Sequence, residues 1–233
     1  MLEVGSGGNP YPRSNVLVDA YEETRERFWE PLIRDRLTVL SFAENLPFKD
    51  KSFDYVIAAH VLEHTPHPEK FLAELQRVAR AGYIETPDAF MERINPYKDH
   101  RLEVTVRDDT LIIRKKPAWM CDKDLVELYE RRAKSIITQE TIPRHAAAFH
   151  MRYFWKDEIN FVVLNPEVDA DWLPPESYAD SGSQFSVKAK LRSLILKLVR
   201  RWFSQSSRNS KNRYFATLAL SEVSFRSDHQ GIS

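Results

Sequence analysis

The first candidate functional residues in the chain form a glycine cluster near its start. Three of the six glycines in the whole sequence stand within four positions, in Glu3-Val4-Gly5-Ser6-Gly7-Gly8. Glycine lets the backbone approach a ligand more closely than a side chain would allow. Asp19 follows at the end of the next apolar stretch, where its carboxylate can accept hydrogen bonds from both hydroxyls of a ribose. Together these residues predict a site for a nucleoside-like ligand.

The spacing of the glycine cluster argues against a dinucleotide cofactor. The glycines follow the order G-x-G-G, whereas the dinucleotide fingerprint is G-x-G-x-x-G. Pro10 and Pro12 also leave too few residues before Asp19 for a normal helix and its turns. Because a pyrophosphate binds at the N-terminus of that helix, an adenosyl ligand without phosphate fits this spacing better.

Three histidines and one acid are candidates for proton transfer at such a site. His60, His64 and His100 are candidate general bases because an unperturbed histidine titrates near neutral pH. Glu85 ends a predicted strand and is an alternative base. A general base is useful where the group that reacts is a hydroxyl. The residue types alone leave the choice among these four open.

Two of these histidines also belong to a metal-binding pattern. The segment His60-Val61-Leu62-Glu63-His64 fits H-x-x-E-H, a zinc-peptidase signature in which two histidines one helical turn apart bind the metal. That signature needs a sustained helix, whereas Thr65-Pro66 limits this segment to one turn. A third ligand would come from His67, His100 or Glu85. We therefore assign no metal ligand from the sequence, and a zinc hydrolase that uses His60 and His64 stays the third interpretation.

Short apolar stretches alternate with helical patterns over the first 87 residues, which predicts a parallel sheet with right-handed crossovers. The predicted strands are Leu2–Val4, Asn15–Asp19, Leu37–Phe42, Ser52–Ala59 and Tyr83–Thr86. The predicted helices are Tyr21–Arg36, which Pro31 bends or interrupts, and Pro68–Ala81, which ends at Gly82. The sequence therefore predicts an α/β fold with a doubly wound, mostly parallel sheet that carries its ligand at the carboxyl ends of the strands.

Beyond Pro87 the pattern changes to hairpins and a helix. One predicted hairpin joins Leu102–Val106 to Leu111–Arg114, and a second joins Met151–Trp155 to Ile159–Leu164. A helix is predicted over Asp122–Lys134, between the two hairpins. We predict one domain with this hairpin insertion over residues 1–164, a linker over 165–186 that is rich in Pro, Ser, Asp and Gly, and a basic amphipathic helix and tail over 187–233.

The C-terminal region carries the positive charge of the chain. Residues 176–233 hold ten basic and four acidic residues, although the whole chain has a net charge of zero. The apolar stripe and the basic residues of this region fit a helix on an anionic membrane surface, a helix packed on the domain, or a nucleic-acid contact. The zero net charge of the whole chain disfavours nucleic-acid binding. A single cysteine and no secretory signal predict a cytoplasmic protein. The membrane-surface alternative for the helix would add peripheral contact at the inner membrane surface through residues 187–203.

A second motif points to a family. Residues 43–64 read AENLPFKDKSFDYVIAAHVLEH, and a helical pattern over Phe71–Val78 follows. This block is similar to the motif block of class I S-adenosylmethionine-dependent methyltransferases of the type-11 group. With the glycine cluster, the resemblance covers about residues 1–87. It implies a Rossmann-like methyltransferase fold, S-adenosylmethionine as cofactor, and transfer of its methyl group to a small-molecule, lipid or glycan-type acceptor.

The resemblance also implies a role for each matched residue. Glu3 anchors the loop in which Gly5, Ser6 and Gly7 line the amino-acid moiety of the cofactor; Asp19 holds the ribose; Ala43 and Glu44 lie beside the adenine; and His60 lies near the methionine portion. His60, His64 and Glu85 are the catalytic candidates.

The chain departs from the family pattern in two places. Family members often carry an acid where Phe42 stands, so either this ring packs against the adenine or Glu44 replaces the acid. The first strand begins at Leu2, so either a later segment covers the cofactor or the chain binds it weakly. The alternative function is therefore a non-catalytic S-adenosylmethionine-binding or interaction module.

Overall fold

The computed structural model describes residues 1–27 and 29–173 and contains nine strands. They are β1 (Leu2–Val4), β2 (Val16–Asp19), β3 (Leu37–Leu40), β4 (Phe53–Ala59), β5 (Ala79–Pro87), β6 (Leu102–Arg107), β7 (Thr110–Lys115), β8 (His150–Lys156) and β9 (Phe161–Val163). Six of them form one sheet in the order β3-β2-β1-β4-β5-β8, and β6-β7-β9 form a second sheet.

The helices of the described residues are short. The α-helices are α1 (Pro68–Val78), α2 (Ala89–Ile94), α3 (Lys123–Leu128), α4 (Lys134–Ile136) and α5 (Ile142–His145). Single 3-10 turns cover Arg25–Arg27, Leu62–His64 and Ala146–Ala148, and wider π-type turns cover Tyr129–Ala133 and Ile137–Thr141. Within the described residues, no helix combines the length and hydropathy that a membrane-spanning segment requires.

The larger sheet confirms the predicted α/β class. Strands β1 to β5 are parallel, and β8 joins the edge of the sheet antiparallel to β5. The chain runs outward from β1 through β2 to β3 and then returns to β4 on the other side of β1. Such a reversal opens a crevice beside the carboxyl ends of the two inner strands, which is where open α/β sheets bind their ligands.

The core lies where α1 and the smaller sheet meet the larger one. Helix α1 begins at Pro68, whose missing N–H is no loss in a first turn, and it buries one stripe formed by Phe71, Leu72, Leu75 and Val78. Leu111 and Ile113 of β7 belong to the same core cluster. The two sheets therefore share one hydrophobic core, and this core holds the turn after β4 in place from both sides.

The predicted helix over Tyr21–Arg36 is wrong. Among the described residues of this stretch, the regular structure is a single 3-10 turn at Arg25–Arg27. The Arg27 guanidinium donates to the carbonyls of Tyr21 and Glu22, at 3.1 and 2.8 Å. In an α-helix those two carbonyls would accept from amides four residues further along, so the arginine takes the place of the helical hydrogen bonds.

The end of α1 also differs from the prediction. The helix stops at Val78 and β5 starts at Ala79, so Gly82 lies inside the strand and does not end the helix. A Cβ at position 82 would stand 2.6 Å from Trp155 Nε1 and 2.7 Å from the Val56 carbonyl oxygen. Gly82 is therefore required by the close approach of the Trp155 indole to β5.

Of the two predicted hairpins, the first is confirmed and the second is wrong. Strands β6 and β7 pair antiparallel around Asp108 and Asp109, both of which have positive φ, as a two-residue hairpin turn requires. Strands β8 and β9 belong to different sheets: β8 pairs with β5 and β9 pairs in parallel with β7. Alternation of apolar residues identifies the buried face of a strand but not its partner.

The start of the predicted linker contacts the domain. Asn165 exchanges two hydrogen bonds with the backbone of Lys115, and the Trp172 indole donates to the Lys116 carbonyl at 2.8 Å. The predicted domain limits stay a prediction, and the rest of the linker, the basic helix and the tail lie outside the described residues.

Enlarging Gly82 tests the packing against β5. We expect Gly82→Ala to lower the free energy of unfolding by about 1–3 kcal/mol, measured by urea denaturation, because the core is overpacked. In a Trp155→Leu background the same substitution should cost less, since the indole supplies two of the three closest atoms. Equal costs in the two backgrounds would contradict this account.

Candidate active site

A cavity of about 1120 Å³ opens at the carboxyl ends of β1, β2 and β4. Nearly all of the residues that the sequence predicted as site residues line it: Glu3, Gly5, Ser6, Gly7, Asp19, Ala43, Glu44, His60 and His64. Glu85 stands behind this lining, next to His60. The structure therefore gathers the predicted residues, from separate parts of the chain, around one cavity.

The glycine turn after β1 is shaped by its neighbours in the chain. Gly5 and Gly7 have φ values of +70° and +53°, and the Gly5 and Ser6 amides both donate to the Val18 carbonyl. A Cβ on Gly5 would overlap the side chain of Val61. Ser6 is buried, and its hydroxyl has no hydrogen-bond partner among residues 1–27 and 29–173. The turn thus presents one unpaired hydroxyl at the cavity wall.

Asp19 ties the ends of β1 and β2 together. Its Oδ2 accepts from the Gly7 amide at 3.0 Å, and its Oδ1 accepts from the Tyr21 amide at 3.1 Å. The Arg27 guanidinium also donates to Oδ1, at 2.8 Å. The Arg27 side chain therefore pairs with the carboxylate that the sequence assigned to a ribose. Nothing in the sequence pattern had indicated this pairing, because Arg27 fell inside the wrongly predicted helix.

Glu3 braces the loop that follows the glycine turn. Both of its carboxylate oxygens accept from the Tyr11 amide, at 3.0 and 2.8 Å. Burial raises the pKa of Glu3, and the hydrogen bonds from the backbone oppose this rise. Its role in the structure is to fix the backbone at the base of the cavity.

The far end of the cavity is partly aromatic. Phe42 is 54% exposed and meets Tyr21 edge to face, with ring centroids 5.6 Å apart. Ala43 is buried beside it, and Glu44 accepts a hydrogen bond from the Thr65 hydroxyl. This end offers ring faces and one engaged carboxylate to a ligand.

His60 lies between two carboxylates. Its Nδ1 is 3.5 Å from Glu63 Oε1, and its Nε2 is 3.4 Å from Glu85 Oε1. Burial alone would lower the pKa of His60, but the two carboxylates outweigh it and raise this pKa to about 10. His60 also has a φ of +57°, a conformation that costs energy in a residue other than glycine. At neutral pH His60 is therefore a cation held in a fixed position, and it is a poor proton acceptor.

Glu85 is held in its charged form. Burial favours the neutral acid, but hydrogen bonds from His60 and Tyr83 and the charges of His60 and Arg152 lower the pKa of Glu85 to about 2. Arg152 Nε lies 3.3 Å from Glu85 Oε2. A carboxylate with so low a pKa is a weak base, so neither Glu85 nor His60 is suited to accept a proton.

His64 and His100 are the two other histidines that the sequence offered as candidate bases. Their rings meet edge to face with centroids 4.7 Å apart, and both line the cavity. His100 comes from the loop between α2 and β6, where the sequence carried no family motif. Its partners Glu92 and Lys116 were missed for the same reason.

Residues 2–84 match a family model described as a methyltransferase domain. The similarity to methyltransferase domains thus covers residues 2–84 of the 233-residue chain. The matched segment contains the glycine turn, Asp19 and the two ends of the Ala43–His64 block, all of which border the cavity.

Two curated relatives are methyltransferases. A phthiotriol/phenolphthiotriol dimycocerosates methyltransferase from Mycobacterium tuberculosis is 49% identical over 53 residues, which are 21% of this chain and 20% of that protein. A sterol 4-C-methyltransferase from Caenorhabditis elegans is 24% identical over 178 residues, 72% of this chain and 52% of that protein. The chain thus spans between a fifth and about half of the length of these two relatives.

Solved structures of S-adenosylmethionine-dependent methyltransferases are also similar. One from Thermotoga maritima is 23% identical, with 37% of this chain and 44% of that chain aligned at a TM-score of 0.31. A TM-score this low adds no argument about the site.

The pairing of Glu85 predicts how stability depends on pH. Because its pKa in the folded state lies below the ordinary value of 4.5, Glu85 stabilises the fold above pH 4.5, and this contribution is lost as the pH falls toward 2. We expect Glu85→Gln to lower the free energy of unfolding at pH 7 by up to about 3 kcal/mol. The difference from the unmodified protein should shrink between pH 4.5 and pH 2, measured by urea denaturation.

Glu127→Gln is the matched control for this pH dependence. Glu127 forms an exposed ion pair with Arg131, which contributes at most about 1 kcal/mol. A Glu85→Gln effect that is as small as that of the control, or that does not change with pH, would contradict the assigned pairing.

Proposed function

We propose that this protein is a methyltransferase that moves the methyl group of S-adenosylmethionine to a small-molecule, lipid or glycan-type acceptor. The observation that carries the proposal is the convergence of three separate parts of the methyltransferase-domain match on one cavity. These parts are the glycine turn, Asp19 and the Ala43–His64 block. A lipid is the acceptor class we favour, because the two curated relatives described above are named for methylation of a sterol and of dimycocerosates.

The residues of the cavity fit this cofactor, with one condition. The unpaired Ser6 hydroxyl and the glycine turn suit its polar amino-acid end, and the Phe42 and Tyr21 rings suit its adenine. Asp19 suits the ribose, but Arg27 already donates to the same carboxylate. Binding through Asp19 therefore requires Arg27 to move or to share the carboxylate with the ribose.

The chain's own part in the reaction is positioning. The cofactor supplies a methyl group on a sulfonium sulfur, which is already a good leaving group, so the protein mainly has to align the acceptor and exclude water. His60 is fixed by Glu63 and Glu85 and places a positive charge beside the cavity. His64 and His100 also line the cavity, where an acceptor molecule would lie.

Cofactor binding tests the role of Asp19. We expect Asp19→Ala to weaken binding of S-adenosylmethionine and of its demethylated product about 10-fold to 100-fold in calorimetry, because hydrogen bonds to a charged group are lost. Arg27→Met should instead tighten binding, since it removes a competing donor and leaves the carboxylate available. Asp50→Asn is the control, because Asp50 is exposed in its pair with Arg77 and does not line the cavity.

Two outcomes would count against this site. The first is an unmodified protein that shows no binding at any concentration. The second is an Asp19→Ala variant that binds as the control does.

Transfer itself is tested with a labelled methyl group. We expect the full-length protein to incorporate label from S-adenosylmethionine into a lipid extract, and the Asp19→Ala variant to lose this activity in proportion to its loss of binding. Label in a water-soluble metabolite fraction would keep the reaction and change the acceptor class. Tight binding with no incorporation into any fraction would favour the non-catalytic binding module.

A further inference from the structure

A cluster of three metal-ligand side chains lies in the wall of the cavity, apart from the glycine turn. One donor atom each from Glu63, His64 and His100 lies within 4.8 Å of the other two. Glu63 and His64 belong to the 3-10 turn after β4, and His100 belongs to the loop before β6. The Arg101 amide donates to the Glu63 carbonyl at 2.7 Å, which fixes the two segments against each other. The cluster is therefore held by the backbone and by the core beneath it.

Glu63 is the least satisfied group in this cluster. It is 1% exposed, and its Oε1 lies 3.5 Å from His60 Nδ1. Within the part of the chain that the structure describes, neither of its carboxylate oxygens has a hydrogen-bond partner. His64 Nδ1 is also buried without a hydrogen-bond partner among those residues. Burial of a carboxylate that accepts no hydrogen bonds is costly. A cation between Glu63 and the two histidines would satisfy these atoms.

His100 is already oriented as a metal ligand would be. Its Nδ1 pairs with Glu92 Oε2 at 2.7 Å, and the other Glu92 oxygen accepts from Lys116 Nζ at 2.7 Å. In the neutral tautomer whose Nδ1 donates to Glu92, His100 keeps its lone pair on Nε2. The Tyr97 ring stacks on His100 at 4.7 Å and restricts its rotation. A carboxylate behind a histidine is the usual support of a metal-binding imidazole.

We propose that Glu63, His64 and His100 bind one divalent transition-metal ion. Two imidazoles and one carboxylate suit Zn²⁺ best, and a set of three protein ligands leaves a fourth position open. Asp99 and Glu26 form a second group around His64 and add negative charge beside the site. The ion would face the cavity, so its open position suits an oxygen of the acceptor. That last role rests on the proposed methyl transfer, whereas metal binding itself does not.

This site differs from the H-x-x-E-H interpretation of the sequence. That interpretation paired His60 with His64 on one helix, but His60 lies between Glu63 and Glu85, and Leu62–His64 is a single 3-10 turn. The third ligand comes from a loop after the matched segment. The sequence alone therefore assigned no metal ligand, whereas the position of His100 beside Glu63 supports a metal site.

Metal titration of the full-length, untagged protein tests the proposal. After removal of metal with a chelator, we expect Co²⁺ to bind one equivalent with visible d–d absorption, and Zn²⁺ to displace it. Glu63→Gln, His64→Gln and His100→Gln should each weaken binding by at least about 100-fold, since loss of a supporting group alone costs 10-fold to 100-fold. His67→Gln is the matched control, because His67 is an exposed histidine three residues after His64.

Several outcomes would overturn the site. They are an unmodified protein with no saturable Co²⁺ band, ligand variants that bind as the protein itself does, and a His67→Gln variant that loses the metal. X-ray absorption of the Zn²⁺-loaded unmodified protein gives a test that no variant's folding can affect. It should report two imidazole ligands and no sulfur, and a Cys121 thiolate in the shell would contradict the assignment. Because no S-adenosylmethionine is present, failure of cofactor binding would leave these results unchanged.

Discussion

The cavity depends on one buried carboxylate, that of Asp19. It receives the Gly7 amide, the Tyr21 amide and the Arg27 guanidinium, and so it joins the turn after β1 to the segment after β2. A carboxylate that is largely removed from water needs such donors. All three come from the chain itself. A ligand that binds at Asp19 therefore replaces one hydrogen-bond donor of this carboxylate with another. The affinity of the ligand depends on the difference in free energy between the two hydrogen-bonded states of Asp19.

The ionisable residues of the opposite cavity wall form two groups that differ in their hydrogen bonding. Around Glu85, the charges of His60 and Arg152 and the Tyr83 hydroxyl leave the carboxylate fully paired. Around Glu63, hydrogen bonds to the carboxylate are missing among the described residues, although His60, His64 and His100 are all near. A carboxylate that accepts hydrogen bonds is suited to hold a structure in place, whereas buried carboxylate oxygens without hydrogen bonds are suited to bind a ligand. Glu85 and Glu63 are therefore the same residue type in neighbouring positions and are suited to different roles.

Local patterns predicted the first four strands and the first hairpin but not the structure of Tyr21–Arg36, and pairings between distant residues were not predicted. Strands β1 to β4 follow apolar runs, and the Asp108–Asp109 turn is set by its own two residues, so both could be recognised. The partner of β8 and the contact of Trp155 with Gly82 depend on segments about 70 residues apart. In the site, the glycine turn, Asp19 and the Ala43–His64 block could be predicted from local sequence. The pairing of Arg27 with Asp19 and the Glu92–His100 contact could not, because periodicity carries no information about which charges meet.

The insertion after β5 makes the second half of the site. The match to the methyltransferase domain ends at residue 84, before α2 and the smaller sheet begin. From beyond that point, Glu92, His100 and Lys116 form a buried chain of ion pairs, and Arg101 bonds both to the turn at Glu63 and to the Trp172 carbonyl. Residues of this insertion, such as Leu111 and Ile113, belong to the same core cluster as the larger sheet. On the proposed function, the insertion is therefore where this chain selects and orients its acceptor.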